Sequence, residues 1–187
     1  MPMRVQEKTI EDIEYRLGGM GTALNKIAYL ESALKTGAFN FEIKRWIWNN
    51  LVELYEEEKM FDKAAGAMRE KAEIEISFRE KIESLLRAGE FYAKAGKIED
   101  ADNMFIRASR DASMEQKQKI KLAMKNIFIV SAKDLEEKGK RAGALRFYES
   151  LIKMGLDDVE KFDIKKKLVD TYKALGRFSD ADLVEGV

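Results

Sequence analysis

The sequence contains no cysteine and no histidine. It therefore offers no disulfide, no thiol nucleophile, no zinc site of Cys or His ligands and no imidazole for acid–base chemistry. It holds one proline, Pro2. Beyond that residue nothing removes a backbone donor, so long helices can run uninterrupted. Net charge is missing as well: 34 basic residues balance 34 acidic ones. A dedicated polyanion binder carries a basic excess, so this balance disfavours nucleic acid as the main partner. No run of about 18 apolar residues exists, so no membrane span is expected. The first residues, MPMRVQEKTIEDIEYR, lack the apolar core of a secretion signal. The expectation is a cytoplasmic protein.

What is present points to helices. The chain has 187 residues, 45% apolar and 36% charged, which suits one compact domain or one short repeat array. Leu85, Ala88, Gly89 and Tyr92 fall at i, i+3, i+4 and i+7, one face of a helix. Ala101, Met104, Phe105 and Ala108 do the same after a break at Ala95-Gly96-Lys97. Gly96 stands where a left-handed closing residue is wanted. The spacing predicts a helix, a tight turn and an antiparallel helix. Ala88 and Gly89 should face Ala101, because close helix approach needs small side chains at the crossing.

Start signals agree. Ser77 with Glu80 and Ser113 with Gln116 match the capping box, and Thr9 with Asp12 and Ser179 with Asp182 are looser versions. TGAFN (36–40) and MGLDD (154–158) read as interhelical loops. EIEIS (73–77) alternates like a strand but is short and lies at a helix end. The pattern also recurs: YAKAGKIEDAD (92–102) and YKALGRFSDAD (172–182) share Tyr, Gly, the following basic residue and Asp-Ala-Asp.

This arrangement resembles the tetratricopeptide repeat: a large apolar residue, a small pair, an aromatic, a turn, then Ala, an aromatic and a small residue. The unit around Gly96 carries it nearly throughout. An earlier unit has Trp48, Leu51, Tyr55, Ala64 and Met68, with Val52 at the small site. A later one has Phe128, Ser131, Ala132, Leu135, Gly139, Ala144, Tyr148 and Leu151. A last one has Leu168, Tyr172, Gly176 and Ala181, with Val169 at the small site. Ile10, Gly18, Ala23, Ile27 and Leu30 suggest a degenerate first unit. The resemblance implies one all-α domain over 1–187, a right-handed superhelical solenoid of four to five antiparallel hairpins at 7–36, 41–76, 78–111, 114–154 and 158–187. The anchor alanines Ala64, Ala101, Ala144 and Ala181 are 37, 43 and 37 residues apart, against a usual period of ~34. Longer, uneven helices are also similar to the tetratricopeptide-like superhelix of soluble NSF attachment proteins.

The resemblance implies protein binding without catalysis. In such arrays the side of each first helix away from the core slot lines a concave groove. That side carries the partner-binding candidates Trp46, Asn50, Leu86, Arg87, Glu90, Ile129, Lys133 and Lys167. Exposed Trp and aliphatic residues among them suit a partner peptide or helix; alternatively they pack against neighbouring or N-terminal helices. Trp48 belongs to the core slot of its unit.

No Gly-rich phosphate loop or G-x-S-x-G elbow occurs, and no catalytic residue, metal site or cofactor is expected. The acidic runs at 56–58 and 157–158 read as solvated helix ends and faces. The rival reading is a helical-repeat RNA or DNA binder using the basic stretch around 117–141, where Lys117, Lys121 and Lys125 share a helix face. No aromatics interleave there as stacking platforms. Finally, Leu168, Tyr172, Ala181 and Leu183 lack a following helix, so the C-terminal hairpin is expected to be covered by self-association or a partner.

Overall fold

The computed structural model describes residues 5–110 and 112–186; the expected unit boundaries at 111 and 187 lie outside them. Among the described residues there are ten α-helices and no strand. They are α1 (Ile10–Gly18), α2 (Ala23–Thr36), α3 (Phe41–Glu57), α4 (Phe61–Ile74), α5 (Phe78–Lys94), α6 (Ile98–Arg110), α7 (Met114–Glu137), α8 (Arg141–Leu151), α9 (Asp158–Ala174) and α10 (Phe178–Glu185). From α2 to α10 each helix packs against the next, and α5 also touches α7 directly. No described helix is long and apolar enough to cross a membrane.

Two kinds of helix start alternate. Helices α1, α2, α3, α5, α7 and α9 begin on side-chain caps: Thr9, Thr22, Asn40, Ser77, Ser113 and Asp157 each accept a hydrogen bond from an N–H of the first turn. At Ser113 and Asp157 the capping box is complete, with Gln116 and Glu160 returning to the cap N–H. Helices α4, α8 and α10 start without a side-chain cap, straight out of a tight turn. Ser179 is therefore not a cap: it lies inside α10, which Arg177 opens. The turn already holds the entering backbone, so no hydroxyl is needed there.

That turn is built four times. Lys59, Gly96, Gly139 and Gly176 all take positive φ, between 56° and 75°. In each case the next N–H reaches back five residues: Met60 to the Tyr55 carbonyl, Lys97 to Tyr92, Lys140 to Leu135 and Arg177 to Tyr172. This bond satisfies a carbonyl that the helix end leaves orphaned. Three of the four sites are glycine, which takes positive φ without strain; the first is a lysine, which does not.

The core runs the length of the chain. Leu85, Ala88, Tyr92, Ala101, Met104, Phe105 and Ala108 are all buried, as their spacing requires. The detail at the crossing differs from the expected Ala–Gly–Ala contact. Gly89 faces Phe105: a Cβ there would stand 2.7 Å from the ring. Phe105 meets Phe128 edge-on at 5.8 Å, and Phe128 meets Phe147 at 5.3 Å, so the three rings lock one another. Gly89 is small because a buried aromatic ladder needs that space.

Two further expectations shift. In α3 the centre of the buried stripe is Ile47, fully enclosed, while Trp48 stands half-buried beside it. At the C-terminus, Leu168, Tyr172 and Ala181 are buried by the chain itself. Contacts of α9 with α8 and α10 cover them, leaving Leu183 exposed.

Candidate functional site

The eight candidate residues fall into three places. Trp46 and Asn50 sit on α3 beside a recess of about 230 Å³ whose other wall is Leu17, Gly18 and Lys26 of α1 and α2. Trp46 packs partly on the core, and the Asn50 amide donates to the Trp46 carbonyl at 2.9 Å. The N-terminal helices thus close over this side of α3.

Arg87 and Glu90, on α5, belong to a four-charge network. Arg87 reaches Glu56 of α3 at 2.8 Å and Glu90 at 2.7 Å, while Lys94 reaches the same two carboxylates at 3.3 and 3.0 Å. The Arg87 guanidinium lies 4.5 Å over the ring of Phe91. Burial raises the Glu90 carboxyl, but Lys94 and Arg87 together outweigh it and hold it below the usual carboxylate range. Arg87 and Lys94 join α5 to α3, Glu90 braces both, and all four charges are spent within the molecule. Leu86, beside them, is half-buried against the core.

The remaining three, Ile129, Lys133 and Lys167, line one groove of about 590 Å³ between α7 and α9. Ile164 and Leu156 join Ile129 on its apolar side, and Glu160, Asp163 and Asp170 join the lysines on its charged side. Lys133 is exposed, whereas Lys167 Nζ donates to Glu136 of α7 at 2.8 Å. Lys125 of α7 likewise pairs with Glu160 of α9. The groove is framed by ion pairs but floored by hydrocarbon.

Tyr148 of α8 forms part of its wall. Its side chain is 2% exposed, and its buried hydroxyl completes no hydrogen bond. Burial first, and the nearby Glu136 carboxylate second, push its ionisation above the ordinary phenol value. The hydroxyl therefore stays protonated, with the Glu136 carboxylate as its nearest acceptor. Tyr29 is in the same state beside Glu7, so the feature is not particular to the groove. Tyr55 and Tyr172 complete such bonds: Tyr55 donates to Glu31 at 2.6 Å and Tyr172 to Glu149 at 2.7 Å.

Sequence reasoning put Tyr148 in the core and the 154–158 segment in a loop, so their groove role was not visible. Glu160, Asp163, Ile164 and Lys167 do share one face at i, i+3, i+4 and i+7. Extending the candidate face of α9 two turns toward its start would have found them. Among the described residues, no three Asp, Glu, His or Cys side chains gather closely enough to hold a metal ion. No family model matches the chain, and no curated protein matches it.

Proposed function

We propose that the chain is a tetratricopeptide-like helical solenoid acting as a non-catalytic protein-binding adaptor, with the α7–α9 groove as its principal contact. The observation that supports this is the convergence of Ile129, Lys133 and Lys167 on one open groove. A hydrocarbon floor with a rim of both charge signs suits a peptide or helix that seats an apolar side chain and aligns its own polar groups. Recurrent turns of one geometry and sequential helix packing favour the repeat reading.

The test begins with partners captured from a native lysate and then measured as purified pairs. Ile129→Glu and Lys133→Glu should each weaken the true partner about tenfold or more, since both groups lie at a desolvating contact. Trp46→Ala should do less, because that side chain already packs on its own chain. Full affinity in both groove variants would place the contact on another face.

A further inference from the structure

Ion pairs tie these helices together at many points, but three cations that share one cleft have none. The cleft, about 480 Å³, opens between the end of α6 and the start of α7. Ile106, Ile120 and Met124 form its floor; Arg110, Lys117 and Lys121 form its rim. Among the described residues, none of the three cations has a hydrogen-bonding or ion-pairing partner. Ile106 is 55% exposed, an aliphatic side chain left open to solvent between charges of one sign.

Helix packing alone does not require this arrangement. Helices α3, α5 and α9 each have 17 residues, whereas α7 has 24, which adds about two turns. Those turns carry Lys117, Ile120 and Lys121 and account for the long middle spacing of the units. The placement is also electrostatically unfavourable. Lys117 closes the first turn of α7, where the helix's own partial positive charge opposes a cation. Arg110 adds a third positive group across the cleft. Arg110 itself faces the negative end of α6, so an anion seated there would relieve Lys117 of its helix's field and all three cations of their mutual repulsion.

We propose that this cleft is a second binding face, taking an acidic peptide segment that carries one apolar anchor. The anchor sits on Ile106, Ile120 and Met124, and carboxylates on either side of it meet Arg110, Lys117 and Lys121. From Lys117 to Met124 the helix rises about 10 Å, which roughly three residues of extended chain span; acid, anchor and acid in sequence match that length. Met124 can adapt its thioether to anchors of different shape. A nucleic acid fits less well. Its bases need aromatic faces, and the one ring in the cleft, Phe105, is 2% exposed. The inference is independent of the α7–α9 groove.

The probe is a short fluorescent peptide with Asp and Glu flanking a single Leu, titrated into the full chain by anisotropy. Lys117→Glu combined with Lys121→Glu should lower its affinity at least about tenfold, as should replacing the peptide's Leu with Ser. Charge reversal at Lys35, exposed on α2, should leave it unchanged. Both cleft lysines are exposed, so the variant should keep or raise its thermal midpoint, and Ile106→Ser supplies a second, charge-neutral test. Any of four results overturns the proposal: no binding of the peptide, equal binding of the Leu-to-Ser peptide, indifference to the lysine variant, or tighter lysine-dependent binding of a single-stranded RNA oligomer.

Discussion

Gly89 and Gly66 are both interior helix glycines, yet their surroundings predict opposite responses to a methyl group. At Gly89 the added carbon would strike Phe105, which cannot yield because Phe128 and Phe147 hold it. Overpacking costs about 1–3 kcal/mol, against roughly 1 kcal/mol returned by alanine's better helix propensity. Gly66 has nothing within 4 Å of that position. Gly89→Ala should lower the thermal midpoint, and Gly66→Ala should raise it by the propensity gain, about 2–4 °C per kcal/mol at this length. A fall at both sites would show that the ring ladder is not the cause. Lys59 gives a third residue-scale case: it holds φ 56° where its three counterparts are glycine. Lys59→Gly should stabilise by about 1 kcal/mol despite removing a side chain, and chemical denaturation will read it.

At the scale of the element, the candidate residues separate into those that hold helices together and those that face outward. Arg87 links α3 to α5 through Glu56 and covers the ring of Phe91. Arg87→Ala should therefore cost about 1 kcal/mol of stability, since exposed pairs and cation–π contacts are each worth a fraction of that. Lys133, exposed and outside any ion pair among the described residues, should tolerate Lys133→Ala within about 0.5 kcal/mol. Equal effects on the unfolding midpoint would remove the distinction. The contrast also marks what the sequence can carry. The face Leu85, Ala88, Gly89 and Tyr92 and the turn at Gly96 were legible because they are local signals of period and backbone conformation. The left-handed turn at Lys59 was not, because lysine gives no such signal. Nor was the Glu56–Arg87 pair, whose members lie far apart in the chain and meet only when α3 and α5 assemble. For the same reason the sequence left Trp46 open between a groove and packing on the N-terminal helices; its neighbours across the recess are residues of α1 and α2.

For the whole molecule, buried tyrosines set the alkaline limit. The Tyr172 phenol is pushed up to about 12, by burial first and then by its hydrogen bond to Glu149. Tyr55 is raised by burial and by Glu31. A raised pKa means that the fold prefers the neutral phenol. That preference stabilises the fold fully below the ordinary value of about 10 and is lost as pH climbs through the folded value. The thermal midpoint should hold up to about pH 10 and then fall as pH approaches 12. Tyr172→Phe should flatten that fall; an unchanged profile would mean that the hydroxyl carries none of it.

The joints between first helices are not alike. Glu56–Arg87 and Glu136–Lys167 occupy matching positions, at α3–α5 and at α7–α9. At the α5–α7 joint those positions hold Ala93 and Val130, and among the described residues no ion pair links the two helices. Helices α6 and α8 are linked instead by Glu99–Arg146. Dissolved salt weakens exposed charge pairs and leaves hydrocarbon contacts intact. In brine the direct α3–α5 and α7–α9 links should loosen, as should Glu99–Arg146 between α6 and α8, while the α5–α7 contact, which holds no ion pair among the described residues, stays stiff. Amide exchange with rising salt would then quicken in α3 and α9 before α5 and α7, and a uniform response along the chain would contradict it.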